Sequence, residues 1–220
     1  QTEWQQRGGS VISLDLPQNA SGSQDYQHAL QTVALSSPDL IYFTGVSPNG
    51  SYVLQALSNI ATLKTVPFAG STGIMKDNLL RIAAASHHDA PIYVSLPIQD
   101  PAHSGIAMGT DFETNYIANG YQGYYPPAAA AYDCTKILIQ AIKTALQTTS
   151  TPHGAQDQVG AKLFRRAVLQ ALRHLPPYMG VTGKHSFDAN GDTTNHTISF
   201  YQANLSTPPL SWIWLQQVNA

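Results

Sequence analysis

Apolar and polar positions alternate along this chain with two different periods. From Gly9 to Pro17 (GSVISLDLP) a short β-branched run is bounded by a Gly pair and a Pro, which reads as a strand. In Asp25–Leu35 the apolar residues Tyr26, Ala29, Leu30, Val33 and Ala34 fall on one face of a helix. Asp39–Val46 (DLIYFTGV) is a strand-length apolar run, and Ser51–Leu63 returns to helical spacing. Val66–Ala69 (VPFA), Asp77–Ala85 and Pro91–Leu96 (PIYVSL) continue as strand, helix and strand. Strands that are apolar on both sides, each separated by a helix, predict an α/β doubly wound, mostly parallel sheet flanked by helices.

Beyond Pro97 the rhythm changes. Helices are expected at Asp111–Ala118, Ala128–Leu146 and Val159–Leu175, with a Gly, Tyr and Pro stretch at Gly120–Pro127 (GYQGYYPP) and a polar loop at Gln147–Gln156. Gly180–Asp192 is rich in turn residues. His196–Leu205 and Ser211–Gln217 alternate like the two strands of a terminal hairpin.

Composition narrows the possible roles. The 220 residues are 43% apolar but only 11% charged, against about 25% charged in an ordinary globular domain. The surface must therefore be covered by Ser, Thr, Gln, Asn and Gly. With a formal charge of -2 and dispersed Lys and Arg, nothing suits a nucleic-acid backbone, and no basic run suits a membrane surface. The single cysteine, Cys134, rules out a disulfide within one chain and reads as a small buried hydrophobe. No apolar run approaches the roughly 20 residues of a membrane-spanning helix. No secretory signal opens the chain, which reads as starting inside a fold.

Chemical motifs are few. The sequence holds no G-x-S-x-G, Walker or H-E-x-x-H pattern, so no catalytic residue, metal or cofactor is expected. His87-His88-Asp89 invites a metal reading, but sequence neighbours point apart, and a His at a helix end is favourable in itself. Asp188-Ala-Asn190-Gly-Asp192 imitates the start of a calcium loop but lacks its sixth-place Gly and twelfth-place Glu, so it reads as a turn. In a parallel sheet, ligands sit at the carboxyl ends of the strands. Here those ends are Gly45, Val46, Ser47 and Asn49, with Ser51 or Asn49 as a helix cap in the plainer reading, and Ser71, Thr72 and Gly73.

Four stretches carry a family resemblance in order and spacing. They are SSPDLIYFTG, VPFAGSTGI, the Ala-rich AAAAYDCTKILIQAIKTAL with its Tyr-Asp pair, and YMGVTGKHSFDANGD followed by ISFYQ. Together they resemble the type I periplasmic or extracellular solute-binding proteins, in particular the leucine/isoleucine/valine-binding receptors of ABC importers, over their C-terminal half only.

The resemblance implies two α/β lobes joined by a three-stranded hinge, with ligand in the cleft. It assigns 1–115 and 178–220 to the ligand-gripping second lobe, and 116–177 to a hinge crossing and helices of a first lobe whose sheet is not in this chain. Tyr124, Tyr125 and Tyr132 then fall near the cleft as ligand contacts, with Tyr121 beside them, and Asp133 as a helix N-terminal carboxylate. Thr72 stands where relatives often carry an acid for the ligand's ammonium, which favours a neutral or anionic solute as readily as an amino acid.

The implied function is extracytoplasmic binding of a small solute, either an amino acid or another small carboxylate or aromatic acid. The solute would pass to an ABC permease, and the expected location is periplasmic or extracellular, with an anchor outside this chain allowed. The alternatives are a ligand-sensing domain of a signalling receptor on the same fold, and, more remotely, an α/β enzyme. A missing first lobe, or a second chain supplying it, is the further partner expected.

Overall fold

The computed structural model describes residues 2–121, 126–148, 158–206 and 208–219. In chain order the elements are α1 (Thr2–Gln6), α2 (Gln24–Ala34), β1 (Ile41–Phe43), α3 (Asn49–Ser58), β2 (Phe68–Ser71), a 3-10 turn (Thr72–Ile74), α4 (Asp77–Ser86) and β3 (Ile92–Leu96). They continue with α5 (Ala107–Ala118), α6 (Pro126–Thr148), α7 (Gln158–Arg173), β4 (Tyr178–Gly180), β5 (Gly183–His185), β6 (Thr197–Asn204) and β7 (Ser211–Asn219). One sheet has the order β1-β2-β3-β6-β7, and β4-β5 form a separate pair. β1, β2 and β3 are parallel in a common register, with Ile41 beside Phe68 and Phe68 beside Ile92.

The chain divides into two compact units, Gln1–Ser95 with Phe200–Leu215, and Leu96–Ser199 with Gln216–Ala220. It passes from one to the other within or at the ends of β3, β6 and β7. Residues 96–115 and 178–199 therefore pack with the helices between them.

In the first unit, α3 packs on both α2 and α4. Each offers the apolar face that its spacing predicts: Tyr26 and Leu30 from α2, Val53, Leu54 and Leu57 from α3, and Leu79, Leu80 and Ala83 from α4, all buried. Phe68 is fully buried and stacks on Phe43 with ring centres 6.3 Å apart. Burying a side chain of this size contributes about 2 kcal/mol, so this apolar cluster dominates the stability of the unit.

Three expectations are corrected here. Residues 9–17 do not form a strand: Val11, Ile12 and Leu14 are exposed and lie outside the sheet. A β-branched run becomes a strand only when another strand accepts its hydrogen bonds, and none of the described strands pairs with it. The helix expected over 51–63 starts at Asn49 and stops at Ser58, after which tight turns take over, with Leu63 N and Lys64 N donating to Ile60 O. The turn-rich 180–192 stretch contributes one strand of the antiparallel pair, Tyr178 facing His185 and Gly180 facing Gly183. As expected, β6 and β7 are neighbours in the sheet.

In the second unit, α6 packs on α7. Besides Pro126, α6 buries a narrow i, i+4 stripe: Ala129, Asp133, Ile137, Ala141 and Ala145. Its other faces leave Leu138, Ile139 and Leu146 exposed, and α7 leaves Val159, Leu163 and Leu169 exposed. Cys134 is exposed on α6, one position past the buried stripe, which corrects its reading as a buried hydrophobe. No helix among the described residues is long and apolar enough to cross a membrane.

Candidate ligand-binding site

Because β1 and β2 are adjacent and parallel, the loops leaving their carboxyl ends must emerge side by side. They do, and they touch. The Ser47 amide donates to the Gly73 carbonyl at 2.9 Å. A side chain on residue 73 would have its Cβ 2.7 Å from the Gly45 carbonyl oxygen and 2.9 Å from a Val46 methyl, so glycine is what lets the loops close up. Gly45, Val46, Ser47 and Asn49 thus share one rim of the first unit with Ser71, Thr72 and Gly73. None of the seven is fully buried.

The local chemistry follows from the helix start. Pro48 is the cap of α3, and no side chain caps it. Asn49 is its first helical residue and Ser51 lies inside it, fully buried, so neither is the cap that the sequence suggests. The Asn49 amide nitrogen of the side chain donates to the Gln18 carbonyl at 3.3 Å, while Ser51 Oγ accepts from Asn78 at 3.5 Å. The backbone amides of Gly50, Ser51 and Tyr52 bond within the turn. Those of Val46 and Asn49 make no hydrogen bond among the described residues, and they lie at the positive end of a ten-residue helix. The rim therefore offers amide N–H groups and the hydroxyls of Ser47, Ser71 and Thr72. It has no charged side chain of its own.

The aromatic residues divide. Tyr124 and Tyr125 lie outside the described residues. Tyr132 is in the second unit, 40% exposed, with its ring 5.2 Å from that of Phe112 and Lys136 Nζ 5.2 Å from its own centroid. Tyr121, 58% exposed, stacks on Tyr116 at 4.7 Å.

Asp133 overturns its expected role. It is the eighth residue of α6, well past the helix start, and only 1% exposed. Its carboxylate accepts from Val181 N at 2.9 Å, Thr182 N at 2.7 Å and Thr182 Oγ1 at 2.6 Å, with His185 Nε2 3.2 Å away. Burial pushes this carboxyl up, but the hydrogen bonds from His185, Thr182 and Val181 outweigh it and hold the pKa below the ordinary carboxylate value. The group ties the β4–β5 pair to α6. Gly180 is part of the same arrangement, because a Cβ there would run into the Asp133 carboxylate. The only sequence signal was an acid on the apolar stripe of a helix, which needs a partner from elsewhere in the chain.

The other polar clusters resolve into structure. His87 is the left-handed residue that ends α4, with φ of 53°. His88 is 7% exposed, and Asp89 pairs with Lys64 at 2.7 Å. The Asp188 carboxylate accepts from the amides of Asn190 and Asp192, both at 2.9 Å, and Gly191 takes the positive φ of the turn. No group of three metal-ligating side chains occurs among the described residues.

Compared with known proteins, the sequence matches no protein-family model and no curated protein. Solved structures do match in fold. The chain is similar to a leucine-binding protein from Thermotoga maritima, with a TM-score of 0.74 and 18% identity over 99% of this chain and 54% of that one. It is similar to a solute-binding protein of an ABC transporter from Rhodopseudomonas palustris HaA2 in complex with p-hydroxybenzoic acid, with a TM-score of 0.70 and 14% identity over 100% and 55%. A third likeness is to a solute-binding protein from R. palustris in complex with benzoate, with a TM-score of 0.60 and 16% identity over 98% and 52%. The fold is thus the α/β architecture of type I periplasmic binding proteins, as the sequence resemblance implies. The chain spans about half the length of the solved structures it matches.

Proposed function

We propose that this chain supplies one face of a solute-binding site, and that it serves an ABC importer by binding a small solute without transforming it. The observation that carries the reading is the joined rim: two βα loops on adjacent parallel strands, locked by the Ser47–Gly73 hydrogen bond, in a fold shared with solute-binding proteins. The first unit is then the ligand-gripping half. The helices of the second unit belong to the opposite lobe, whose remaining part comes from outside these 220 residues. On this reading the protein works outside the cytoplasm, with a permease as its partner.

The rim's chemistry favours one solute class. Amide N–H groups at the start of α3 and three hydroxyls can bind a carboxylate or a neutral amide. With Thr72 in the place of an acid, the rim has nothing to balance a desolvated ammonium. A small carboxylate, including an aromatic one, fits better than an amino acid held by its ammonium. In a two-lobed binder, ligand favours the closed state and shifts the population towards it. One face alone binds weakly, with a Kd of about 1 mM or above.

Isothermal calorimetry against a panel of amino acids, aromatic acids and small amides tests the reading. One class should bind, and Gly73→Ala, which pushes the two loops apart, should weaken it about tenfold. Silence from the whole panel at concentrations that fill a millimolar site would overturn it.

A further inference from the structure

We propose that His88 is an acid-released latch: a proton taken up by its buried ring opens the corner where residues 60–66 meet residues 87–91, while the rest of the first unit stays folded. The corner lies within that unit, before the amino end of β2, whereas the rim loop follows the carboxyl end of the same strand. The proposal therefore does not rest on the solute reading.

Local backbone geometry puts the ring inside. His87 ends α4 in the left-handed region, so the chain turns sharply just before His88. His88 is then buried, while its neighbours His87 and Asp89 are exposed. The segment is tied down on both sides of the ring. The Asp89 amide donates to the Lys64 carbonyl at 3.0 Å, and the Asp89 carboxylate pairs with Lys64 Nζ at 2.7 Å. The Val66 amide donates to the Leu63 carbonyl at 3.0 Å and closes the turn that faces this segment.

The ring is sealed but not satisfied. Both nitrogens are shut off from solvent, and neither has a hydrogen-bond partner of good geometry among the described residues. A neutral imidazole in that place leaves one donor and one acceptor unpaired, which a fold can tolerate. An imidazolium would bury a charge with two unpaired donors, which it cannot. The charged groups of the corner do not supply the counter-ion. Asp89 is the one that acts on the ring, and its carboxylate is half-exposed and already engaged by Lys64. Its pull and that of the Val66 backbone are weaker than the effect of burial. The proton is therefore accepted mainly when the corner is open and the ring meets water. Each pH unit below 6.5 favours that open form about tenfold, until the closed ring titrates as well. The opening stays local because the unit's stability resides in the apolar cluster of α2, α3 and α4.

Amide hydrogen exchange of the whole chain at about pH 7.5 and about pH 5, corrected for the intrinsic rate at each pH, tests the latch. The amides of Val66 and residue 89 should lose protection about tenfold in acid. Those of Leu54 in α3 and Val94 in β3 should keep theirs. His88→Leu should abolish the loss. Asp89→Asn, which removes the ion pair with Lys64 and leaves the ring in place, should not. NMR titration of the His88 ring in the unaltered chain gives a second measurement that needs no variant, and its midpoint should lie below 6.5. Equal loss of protection at Leu54 would overturn the proposal, since the unit would then be unfolding as a whole. So would a loss that survives His88→Leu, a loss that Asp89→Asn abolishes, or a ring that titrates at 6.5 or above.

Discussion

Asp133 is the residue on which most hangs in the second unit. It is a buried carboxylate whose acceptors are filled by three donors 48 and 49 positions along the chain. Asp133→Asn keeps the shape but turns an NH2 group towards amides that need an acceptor. It should cost about 3 kcal/mol in a urea unfolding experiment. Gly180→Ala should cost about 2 kcal/mol, because its methyl meets that carboxylate. The folded pKa of Asp133 is depressed, so its contribution is complete above the unfolded value near 3.8 and is lost as pH falls through the lower folded value. The Asn variant should lack that part of the acid loss.

His88 acts at higher pH. Its ring nitrogens are shut away from solvent, and burial pushes its pKa down from 6.5 against weaker upward pulls from the Val66 backbone and Asp89. Below 6.5 the unfolded chain takes the proton first, so stability is full above that value and declines as pH falls towards the folded pKa. His88→Leu should flatten the stability profile measured from about pH 7.5 to about pH 5. A profile unchanged by the substitution would mean that His88 titrates alike in both states.

At the scale of elements, what could be read from the sequence was what each segment decides locally. Five of the helices and strands up to residue 118 follow from apolar spacing, because α2–α4, β2 and β3 each bury the apolar residues that their spacing marks. The failures are non-local. Residues 9–17 have strand composition but no partner strand among those described, and Asp133 looks like a helix-end acid until the β4–β5 pair arrives. The rim was legible as two loops after two strands. That Gly73 lets them touch was not, since it depends on the packing of Val46 against it.

The same narrow stripe on α6 makes a prediction for these elements. Leu138, Ile139 and Leu146 with Val159, Leu163 and Leu169 leave a helical surface too apolar to stay in water unpaired. The chain by itself should therefore associate, and Leu138→Lys with Leu163→Glu should return it to one copy per particle in light scattering. A chain that runs as a monomer without those changes would show that the surface is tolerated.

On the scale of the whole molecule, the fold and the length belong together. Over 98% or more of this chain can be laid on solved solute-binding proteins, yet it fills only 52–55% of their length. Two joined loops on one rim, and helices with an apolar face left open, agree with the proposed one-sided site. The proposed site has the rim of residues 45–49 and 71–73 as one wall, and only one. Amide-resolved titration with the tightest carboxylate from the calorimetric panel tests both parts at once. The predicted result is fast-exchange shifts at Val46, Asn49, Thr72 and Gly73, with a Kd of about 1 mM or above. Binding that leaves all four amides unmoved, or micromolar affinity from this chain by itself, would contradict it.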